Sequence, residues 1–393
     1  FRGFGGPQGV AAMENIIEEI AAALGRDSLE IRRRNLYGGP GRDTTPYGQR
    51  LEEFALPEIF DRLEASSNYQ ARRAEIERHN ATSKTTLRGI ALTPVKFGIS
   101  FTTRFLNQGN ALVHVYTDGT VQVSTGGTEM GQGLNTKIRQ LAADEFGLPL
   151  EAVIVMTTST EKNINTPPTA ASAGTDLNGM AAVNACRQIR ERLARFAAAR
   201  LAAPGAAQAP DPDEILFENS QVFARRDPAR RIAFADLCGQ AWRERVDLGA
   251  RGFYATPGVD FNRETGQGAP FFYFTTGAAV AEVTVDRFTG ALKIERVDLL
   301  MDIGRRINPG IDRGQVIGGF VQGVGWVTTE CLVYSPRGEL LSDSPTTYKI
   351  PAINDIPAVF HVDFFENELH KRNVAASKAV GEPPLLLGIS VWA

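Results

Sequence analysis

The sequence predicts an α+β fold in which mixed, hairpin-rich sheets pack against helices. Two pairs of segments with alternating apolar residues are each joined by a tight turn, one at Asp118-Gly119 and the other at Thr289-Gly290. Segments with apolar residues at helical spacing lie before and between these hairpins and after them. Strands and helices do not alternate regularly along the chain, as they would in a doubly wound parallel sheet.

The N-terminal part is predicted to be helical. Apolar side chains repeat at helical spacing over residues 11–24, and Gly25 suits the C-terminus of this helix. The apolar residues of this stripe are Met13, Ile16, Ile17, Ile20 and Leu24. The highly charged residues 61–84 predict a more exposed helix with a connecting segment, and strands are expected from Leu87 onward.

The two hairpins show the same signal. Valines alternate with polar neighbours over residues 113–115 and again over residues 121–123, on either side of the first turn. In the second hairpin, residues 283–285 are expected to pair with residues 292–294. Between the hairpins, the Ala/Pro-rich residues 203–213 predict a surface connector.

Three further helices are predicted. One spans residues 134–146 and ends at Gly147. A second spans residues 176–201, with Asp176 as its N-cap. A third, rich in glycine, runs over about residues 314–329.

The composition excludes several classes of partner. Hydrophobic residues make up 43% of the chain and charged residues 22%, as in an ordinary globular protein. A net charge of −3 gives no electrostatic signature for nucleic acid or an anionic membrane. No uncharged apolar stretch approaches the roughly 18 residues of a membrane span. We therefore expect neither a nucleic-acid nor a membrane partner.

The cysteines and histidines indicate neither disulfides nor a protein-ligated metal. The 3 cysteines are far apart and odd in number, which favours reduced thiols and a cytoplasmic location. They are too few for the usual set of iron–sulfur cluster ligands. The 4 histidines lack metal-ligand spacing. Because the chain starts at Phe1 and stops directly after an apolar run at Trp392-Ala393, we expect truncation at both ends.

Two glycine-rich segments are candidate ligand-binding loops. Residues 126–133 and 167–174 each run into a predicted helix, whose N-terminus would suit a phosphate or a polar heterocycle. Gln132 and Gln315 supply amide groups that match the edge of a planar ring. Neither a nucleoside-triphosphate loop nor a dinucleotide fingerprint is present. Close packing of small residues is the alternative for each segment.

Glu382 is a candidate general base. It precedes Pro383, and a residue before proline is held in an extended conformation, so we expect a stiff stretch of backbone there. Apolar residues follow it, a setting that suits a base. An exposed glutamate in a proline turn is the alternative.

Six motifs together resemble the molybdopterin-binding part of the xanthine dehydrogenase and aldehyde oxidase family. They are FRGFGGPQG, PVKFGISFTTRFLNQ, GGTEMGQGLNTK, PPTAASAGTDLNG, GQVIGGFVQGVG and ASKAVGEPPLLLG. They occur in that family's order and extend from the first residues to the last. The resemblance implies the cofactor-binding fold of molybdenum hydroxylases. Residues 1–50 would end the first molybdopterin-binding domain, residues 51–86 would be a helical connector, and residues 87–393 would form the second domain.

The resemblance also implies roles for single residues. Glu382 matches the family's general base. Phe4 and Phe101 match two aromatic residues that sandwich a planar purine, with Thr102 beside them, although burial statistics alone would place both phenylalanines in the core. The residues that match cofactor contacts are Arg2, Met130, Gly131, Gln132, Thr169, Ala171, Ser172, Gln315 and Gly381.

The activity implied by the resemblance is hydroxylation of hypoxanthine and xanthine to urate, with water as the oxygen source. Molybdenum would be held by the dithiolene sulfurs of molybdopterin rather than by side chains. Electrons would pass to iron–sulfur clusters and FAD on another chain or on a missing segment, in a complex that forms a homo-oligomer.

Two alternatives remain open. The segment Lys96–Phe101 favours a purine over an aldehyde substrate, but the side chains that best separate the two classes belong upstream of Phe1. A carbon monoxide enzyme is disfavoured, since such enzymes carry a cysteine-bearing loop at the position where this chain has Phe1-Arg2-Gly3-Phe4. The chain by itself could also be an inactive scaffold that binds no cofactor.

Overall fold

The computed structural model describes residues 2–202, 208–367, 370 and 373–393. The chain divides into a first unit, residues 1–99 with 261–393, and a second unit, residues 100–260. Both units contain sheets and helices, which confirms the α+β prediction. The domain boundaries expected near residues 50 and 86 stay a prediction.

The described residues form the following elements. The helices are α1 Gly6–Leu24, α2 Ser28–Asn35, α3 Ala55–Ser66, α4 Tyr69–Thr82, α5 Leu134–Phe146, α6 Met180–Arg200, α7 Phe234–Arg243, α8 Pro309–Val327 and α9 Pro383–Leu386. The strands are β1 Thr86–Ile99, β2 Gln108–Val115, β3 Val121–Thr125, β4 Val153–Val155, β5 Ile215–Glu218, β6 Gln221–Ala224, β7 Asp227–Ala233, β8 Gly249–Ala255, β9 Asp260–Asn262, β10 Gln267–Ala269, β11 Tyr273–Asp286, β12 Leu292–Asp302 and β13 Val359–Phe364.

A four-stranded sheet in the order β1-β11-β12-β13 organises the first unit. Its first three strands are antiparallel, and β13 runs parallel to β12. The hairpin across Thr289-Gly290 is confirmed. The Asp286 carboxylate fixes this turn by accepting hydrogen bonds from the backbone N–H groups of Phe288 at 2.9 Å and Thr289 at 2.7 Å.

The sheet is buried on both faces. Successive strand residues point to opposite sides, so Ala279 and Ala281 of β11 pack towards α8, where Phe320 is fully buried. Ala278 and Val280 pack on the other side, with the apolar face of α3. β11 is therefore a rigid central element of the first unit.

The second unit holds the sheet β4-β3-β2-β8 and the smaller sheet β5-β6-β7. Val113 and Val123 are fully buried with Ile138 of α5 and Ile189 of α6 in one core. The predicted hairpin at Asp118-Gly119 is confirmed, with Gly119 at a φ of 84° that few other residues adopt.

Two predicted helices need little change. α5 has the predicted bounds, and Gly147 ends it with a φ of 61°. The glycine-rich helix α8 starts earlier than expected, at Pro309, because the side chain of Asn308 accepts a hydrogen bond from the Ile311 N–H at 3.0 Å. No helix within the described ranges combines the length and the apolar character needed to cross a bilayer.

The prediction that Asp176 is the N-cap of a helix is wrong. Thr175–Gly179 form a π-helical turn, and α6 begins at Met180. The chain is already helical at Gly174, with φ −58° and ψ −49°, so Asp176 lies inside the helical path rather than before it. The Asn178 amide donates to the Gly174 carbonyl at 3.0 Å within this turn.

α1 does not bury the apolar stripe that predicted it. It begins at Gly6, earlier than expected, and of the stripe only Ile17 is buried. The exposed members are Met13, Ile16, Ile20 and Leu24. The buried face is set by α2, where Ile31 packs on Ile17 and the buried Arg32 pairs with Glu14 at 2.7 Å.

The charged segment 61–84 is mostly exposed, as predicted. It belongs to two helices, α3 and α4, that are separated at Asn68, where φ is 55°. α3 buries Ile59 and Phe60 completely. Of the predicted connector, residues 203–207 lie outside the described residues.

Candidate active site

The segment that carries Glu382 is anchored to the central sheet of the first unit. The Lys378 N–H donates to the Ile303 carbonyl at 2.7 Å. The N–H of Ala379 donates to the Tyr273 hydroxyl at 2.9 Å, and its carbonyl accepts from the Thr275 hydroxyl at 2.7 Å. Residues 377–380 are all buried. The candidate base therefore follows a tightly held stretch of backbone.

Glu382 itself is half-buried, and its predicted extended conformation is wrong. Its φ is −109° and its ψ −41°, in the helical region. The reason is that α9 begins at Pro383 and the Glu382 carbonyl accepts a hydrogen bond from the Leu385 N–H at 3.1 Å. This turn outweighs the usual preference of a residue before proline.

A tight N-terminal turn contacts the Glu382 carboxylate. Gly3, Phe4 and Gly5 have φ values of 87°, 35° and 96°. A Cβ on Gly3 would lie 2.6 Å from Cδ of Pro7, so only glycine fits there. The N–H of Gly3 donates to Oε1 of Glu382 at 3.1 Å. The glycines of this motif thus allow the backbone to approach the candidate base.

Arg2 is fixed beside Glu382 by three acceptors. Its Nε donates to the Gly381 carbonyl, and its terminal nitrogens donate to Oε1 of Gln322 at 3.1 Å and of Gln315 at 3.0 Å. Burial lowers the pKa of the Arg2 guanidinium, and the Glu382 carboxylate opposes this shift. Because an arginine only donates, both glutamines face it with their oxygens and leave their NH2 groups to donate.

Gln322 was missed by the sequence analysis, although a signal was present. It follows Gln315 at a spacing of about two helical turns, so both lie on one face of α8.

Phe4 lies on the surface rather than in the core. It is 84% exposed, so the placement suggested by burial statistics is wrong.

In the second unit, the loop before α5 is organised by a glutamate. Oε1 of Glu129 accepts from the N–H groups of Gly131 at 2.9 Å and Gly133 at 3.0 Å, and Oε2 accepts from Asn135 at 2.9 Å. The carboxylate thus occupies donors that a phosphate at this helix N-terminus would use. A phosphate or a polar heterocycle at the start of α5 stays a prediction.

Glu129→Ala is expected to lower the free energy of unfolding by about 1 kcal/mol, because α5 loses its capping carboxylate. Burial raises the pKa of the Glu129 carboxyl, but the hydrogen bonds from the backbone N–H groups together hold it below its ordinary value of 4.5. The stabilisation is therefore present above pH 4.5 and lost as the pH falls further. Urea unfolding at pH 7 and pH 4 measures this, with the exposed Glu151→Ala as control. Equal effects of the two variants would contradict the capping role.

The two glycine-rich loops are joined by Thr169. Its hydroxyl accepts a hydrogen bond from the Thr128 N–H at 2.9 Å. Gln132 braces the first loop with both ends of its amide, accepting from the Met130 N–H at 2.5 Å and donating to the Thr128 carbonyl at 2.9 Å. Met130 is 66% exposed at the tip.

The second loop is held in an unusual conformation. Ala171 and Ser172 have φ values of 52° and 55°, in the left-handed region. Such strain in residues other than glycine persists where surrounding structure enforces it, often at ligand contacts.

Phe101 and Thr102 lie in a turn of the second unit that Asn107 braces. The Asn107 side chain accepts from the Phe101 N–H at 2.8 Å and donates to the Phe101 carbonyl at 2.7 Å. Phe101 is half-buried and Thr102 exposed. The structure thus collects Arg2, Gln315, Gly381 and Glu382 in the first unit and joins the loops of Gln132 and Thr169 in the second.

Comparisons with known proteins agree with the resemblance. Residues 62–357 match the model of a family described as molybdopterin cofactor-binding domain, and residues 1–36 match a second model with the same description. The xanthine dehydrogenase of Dictyostelium discoideum is 43% identical and the xanthine dehydrogenase/oxidase of Mus musculus 44% identical, each over 100% of this chain and 27% of the relative. The chain thus spans about a quarter of the length of these relatives.

A solved structure has the same fold. The quinoline 2-oxidoreductase from Pseudomonas putida 86 superposes with a TM-score of 0.82 at 25% identity, over 98% of this chain and 48% of that chain.

Proposed function

Because the chain belongs to the family of molybdopterin cofactor-binding domains, we propose that it is the cofactor-binding catalytic portion of a xanthine dehydrogenase. The whole protein would hydroxylate hypoxanthine and xanthine to urate with oxygen from water. The observation that carries this proposal is the half-buried carboxylate of Glu382, held by the Gly3 N–H beside the fixed guanidinium of Arg2. A base next to an ordered cation and amide donors suits proton abstraction during attack on a polar ring.

The residues of the first unit fit a molybdopterin. The amide oxygens of Gln315 and Gln322 are engaged by Arg2, so their NH2 groups match the ring nitrogens and carbonyl of a pterin edge. When bound, this cofactor supplies the two-electron redox chemistry that side chains lack. Arg2, Gln315 and Gly381 are the proposed contacts here.

In the second unit, the proposed contacts to the pterin are Met130, Gly131, Gln132, Thr169, Ala171 and Ser172. The geometry of the first loop supports this proposal. The space beside Cα of Gly131 is empty, since an added Cβ would lie more than 4 Å from any other atom. A ligand can therefore approach the backbone at this position.

Glu382 and the residues around the substrate would have different roles in the reaction. An oxygen of the Glu382 carboxylate would accept the proton of the attacking water-derived oxygen as that oxygen bonds to an electron-poor ring carbon. The C–H bond at that carbon would break, and its two electrons would pass to the bound cofactor. The proposed contacts to the flat purine are Phe4 of the first unit and, in the second, Phe101 and Thr102. The exposed ring of Phe4 on its rigid turn fits this role.

We further propose the setting in which this site works. Electrons leave to iron–sulfur clusters and FAD on another subunit or domain, within a cytoplasmic homo-oligomer. The boundaries proposed for the molybdopterin-binding domains are residues 1–50 and 87–393, with the helical connector between them.

The test is the molybdenum content and the substrate preference of the complete protein as purified. We expect about one molybdenum per chain and a kcat/KM for xanthine at least about tenfold above that for benzaldehyde. Steady-state rates for both substrates, together with metal analysis, measure this. A preference for the aldehyde would favour an aldehyde oxidase, and absence of bound molybdenum would favour an inactive scaffold.

A further inference from the structure

A buried cluster of charged side chains adjoins the segment that leads to Glu382. The Lys378 ammonium lies 2.6 Å from Oε2 of Glu53 and 2.6 Å from Oδ2 of Asp302. His370 adds Nδ1 at 3.0 Å from the other oxygen of Glu53. The side chains of Lys378, Asp302 and His370 are at most 1% exposed. We call these four residues the Lys378 cluster.

His370 links the Lys378 cluster to the backbone before Glu382. Its Nε2 faces the Ser377 carbonyl at 3.1 Å, and a carbonyl only accepts, so Nε2 carries a proton. Burial raises the pKa of Glu53, but the hydrogen bond from His370 and the charge of Lys378 together lower it to about 2. Glu53 is therefore ionised beside the Lys378 ammonium.

The Lys378 ammonium thus lies between the two carboxylates of Glu53 and Asp302. The Asn367 amide adds hydrogen bonds to Glu53 at 2.9 Å and to Asp302 at 2.8 Å. Loss of the Glu53 charge would remove one of the two carboxylate partners of a buried ammonium, which is costly in the interior.

The Lys378 cluster is tied directly to the backbone before Glu382. Lys378 is itself part of that segment, and His370 and Asn373 both donate to the Ser377 carbonyl, at 3.1 Å and 3.2 Å. Ala379 is held next, by Tyr273 and Thr275. Gly381 then meets Arg2. The anchors thus follow one another along the chain up to the carboxylate.

We propose that the Lys378 cluster is a positioning device: it fixes residues 377–381 and thereby sets where the Glu382 carboxylate lies. The inference rests on the proposed function, in which Glu382 is the general base. None of the four residues is assigned a contact with substrate or cofactor, so they act through the backbone. A shift of about 1 Å in a catalytic group can cost up to about 100-fold in rate.

A second charged cluster of the first unit provides a matched control. Glu282 of β11 is paired with Arg72 of α4 at 2.7 Å and with Arg88 of β1, and its side chain is 6% exposed. These partners join α4 to the sheet. Glu282→Gln therefore removes a paired carboxylate that is more buried than that of Glu53, 6% against 23% exposed, without touching the segment that leads to Glu382.

The experiment compares Glu53→Gln with Glu282→Gln in the complete, cofactor-loaded protein. We expect Glu53→Gln to lower kcat for xanthine by about 10-fold to 100-fold, with KM changed by less than about threefold and molybdenum content unchanged. Amide hydrogen exchange of residues 377–381 should rise by about tenfold or more. Glu282→Gln should leave both the rate and this exchange unchanged. Glu53→Asp, which keeps the charge, should recover part of the activity. If Glu53→Gln does not fold, the amide exchange of residues 377–381 in Glu53→Asp serves as the test instead.

A double-mutant cycle separates positioning from general destabilisation. If the Lys378 cluster acts through Glu382, adding Glu53→Gln to Glu382→Gln lowers the remaining rate by less than about threefold. Multiplicative effects, or equal effects of Glu53→Gln and Glu282→Gln, would overturn the positioning role and leave the proposed function intact. Full activity of Glu382→Gln alone would instead overturn the proposed function, and the exchange measurement would still decide whether the cluster holds the segment.

Discussion

Replacing Glu382 by glutamine is expected to lower kcat for xanthine by several hundred-fold or more, within the range of about 100-fold to 10,000-fold for loss of a general base. Glutamine has nearly the same shape, and its oxygen can still accept the hydrogen bond that Oε1 receives from the Gly3 N–H. The turn at Pro383 is therefore retained. An amide does not take up a proton at neutral pH, so the proton transfer is lost while the geometry stays.

Steady-state turnover of xanthine by the complete protein measures this effect, at matched molybdenum content. Glu58→Gln, an exposed glutamate of α3 in the same unit, is the control and should keep full activity. Cofactor binding should be equal in both variants, since Arg2 is held by Gln315, Gln322 and a backbone carbonyl as well. A Glu382→Gln protein as active as wild type would show that another group accepts the proton.

Local signals in the sequence were sufficient where neighbouring residues decide the structure. The turns at Asp118-Gly119 and Thr289-Gly290, and the end of α5 at Gly147, depend on glycine in the left-handed region and on side chains a few residues away. The residues that determine such features are close together in the sequence.

Other features could not be predicted because their causes lie far away in the chain. The buried face of α1 is determined by Arg32 and Ile31 of α2, so the apolar stripe around Ile16 ended up exposed. The conformation of Glu382 follows from the turn that closes on Leu385 rather than from the proline alone.

The candidate site shows the same division. The resemblance named Arg2 and Glu382, but their proximity across nearly the whole chain came from the structure. It did not name the residues that hold them, such as Gln322 beside Arg2 and Glu53 beside Lys378. No local sequence pattern marks these side chains, because their hydrogen-bond partners are distant in the sequence and become neighbours only on folding.

Two glycines allow α8 to touch the turn that follows Glu382. A Cβ on Gly323 would lie 2.0 Å from the carbonyl oxygen of Leu385 and 3.2 Å from Cα of Gly388. A Cβ on Gly388 would in turn lie 2.4 Å from the carbonyl carbon of Gly323. Backbone meets backbone here, so no flexible side chain can move aside to make room.

Gly323→Ala is therefore expected to lower the free energy of unfolding by about 3 kcal/mol, the upper part of the range for overpacking. Gly318→Ala is a matched control in the same helix, because its added Cβ would meet no atom within 4 Å. Without a clash, alanine should stabilise α8 by up to about 1 kcal/mol. Urea unfolding of both variants measures the contrast, and equal effects would show that the contact between the helix and the turn is not tight.

The same substitution should also impair the site under conditions where the protein stays folded. α9 begins directly after Glu382, so a turn pushed away from α8 carries the carboxylate with it, away from the Gly3 N–H. Gly323→Ala should then lower kcat for xanthine by about tenfold or more, while Gly318→Ala leaves it unchanged. A destabilised Gly323→Ala protein with wild-type kcat would mean that the strain is absorbed within α8. The position of Glu382 would in that case depend on Arg2 and the Lys378 cluster rather than on the contact between α8 and α9.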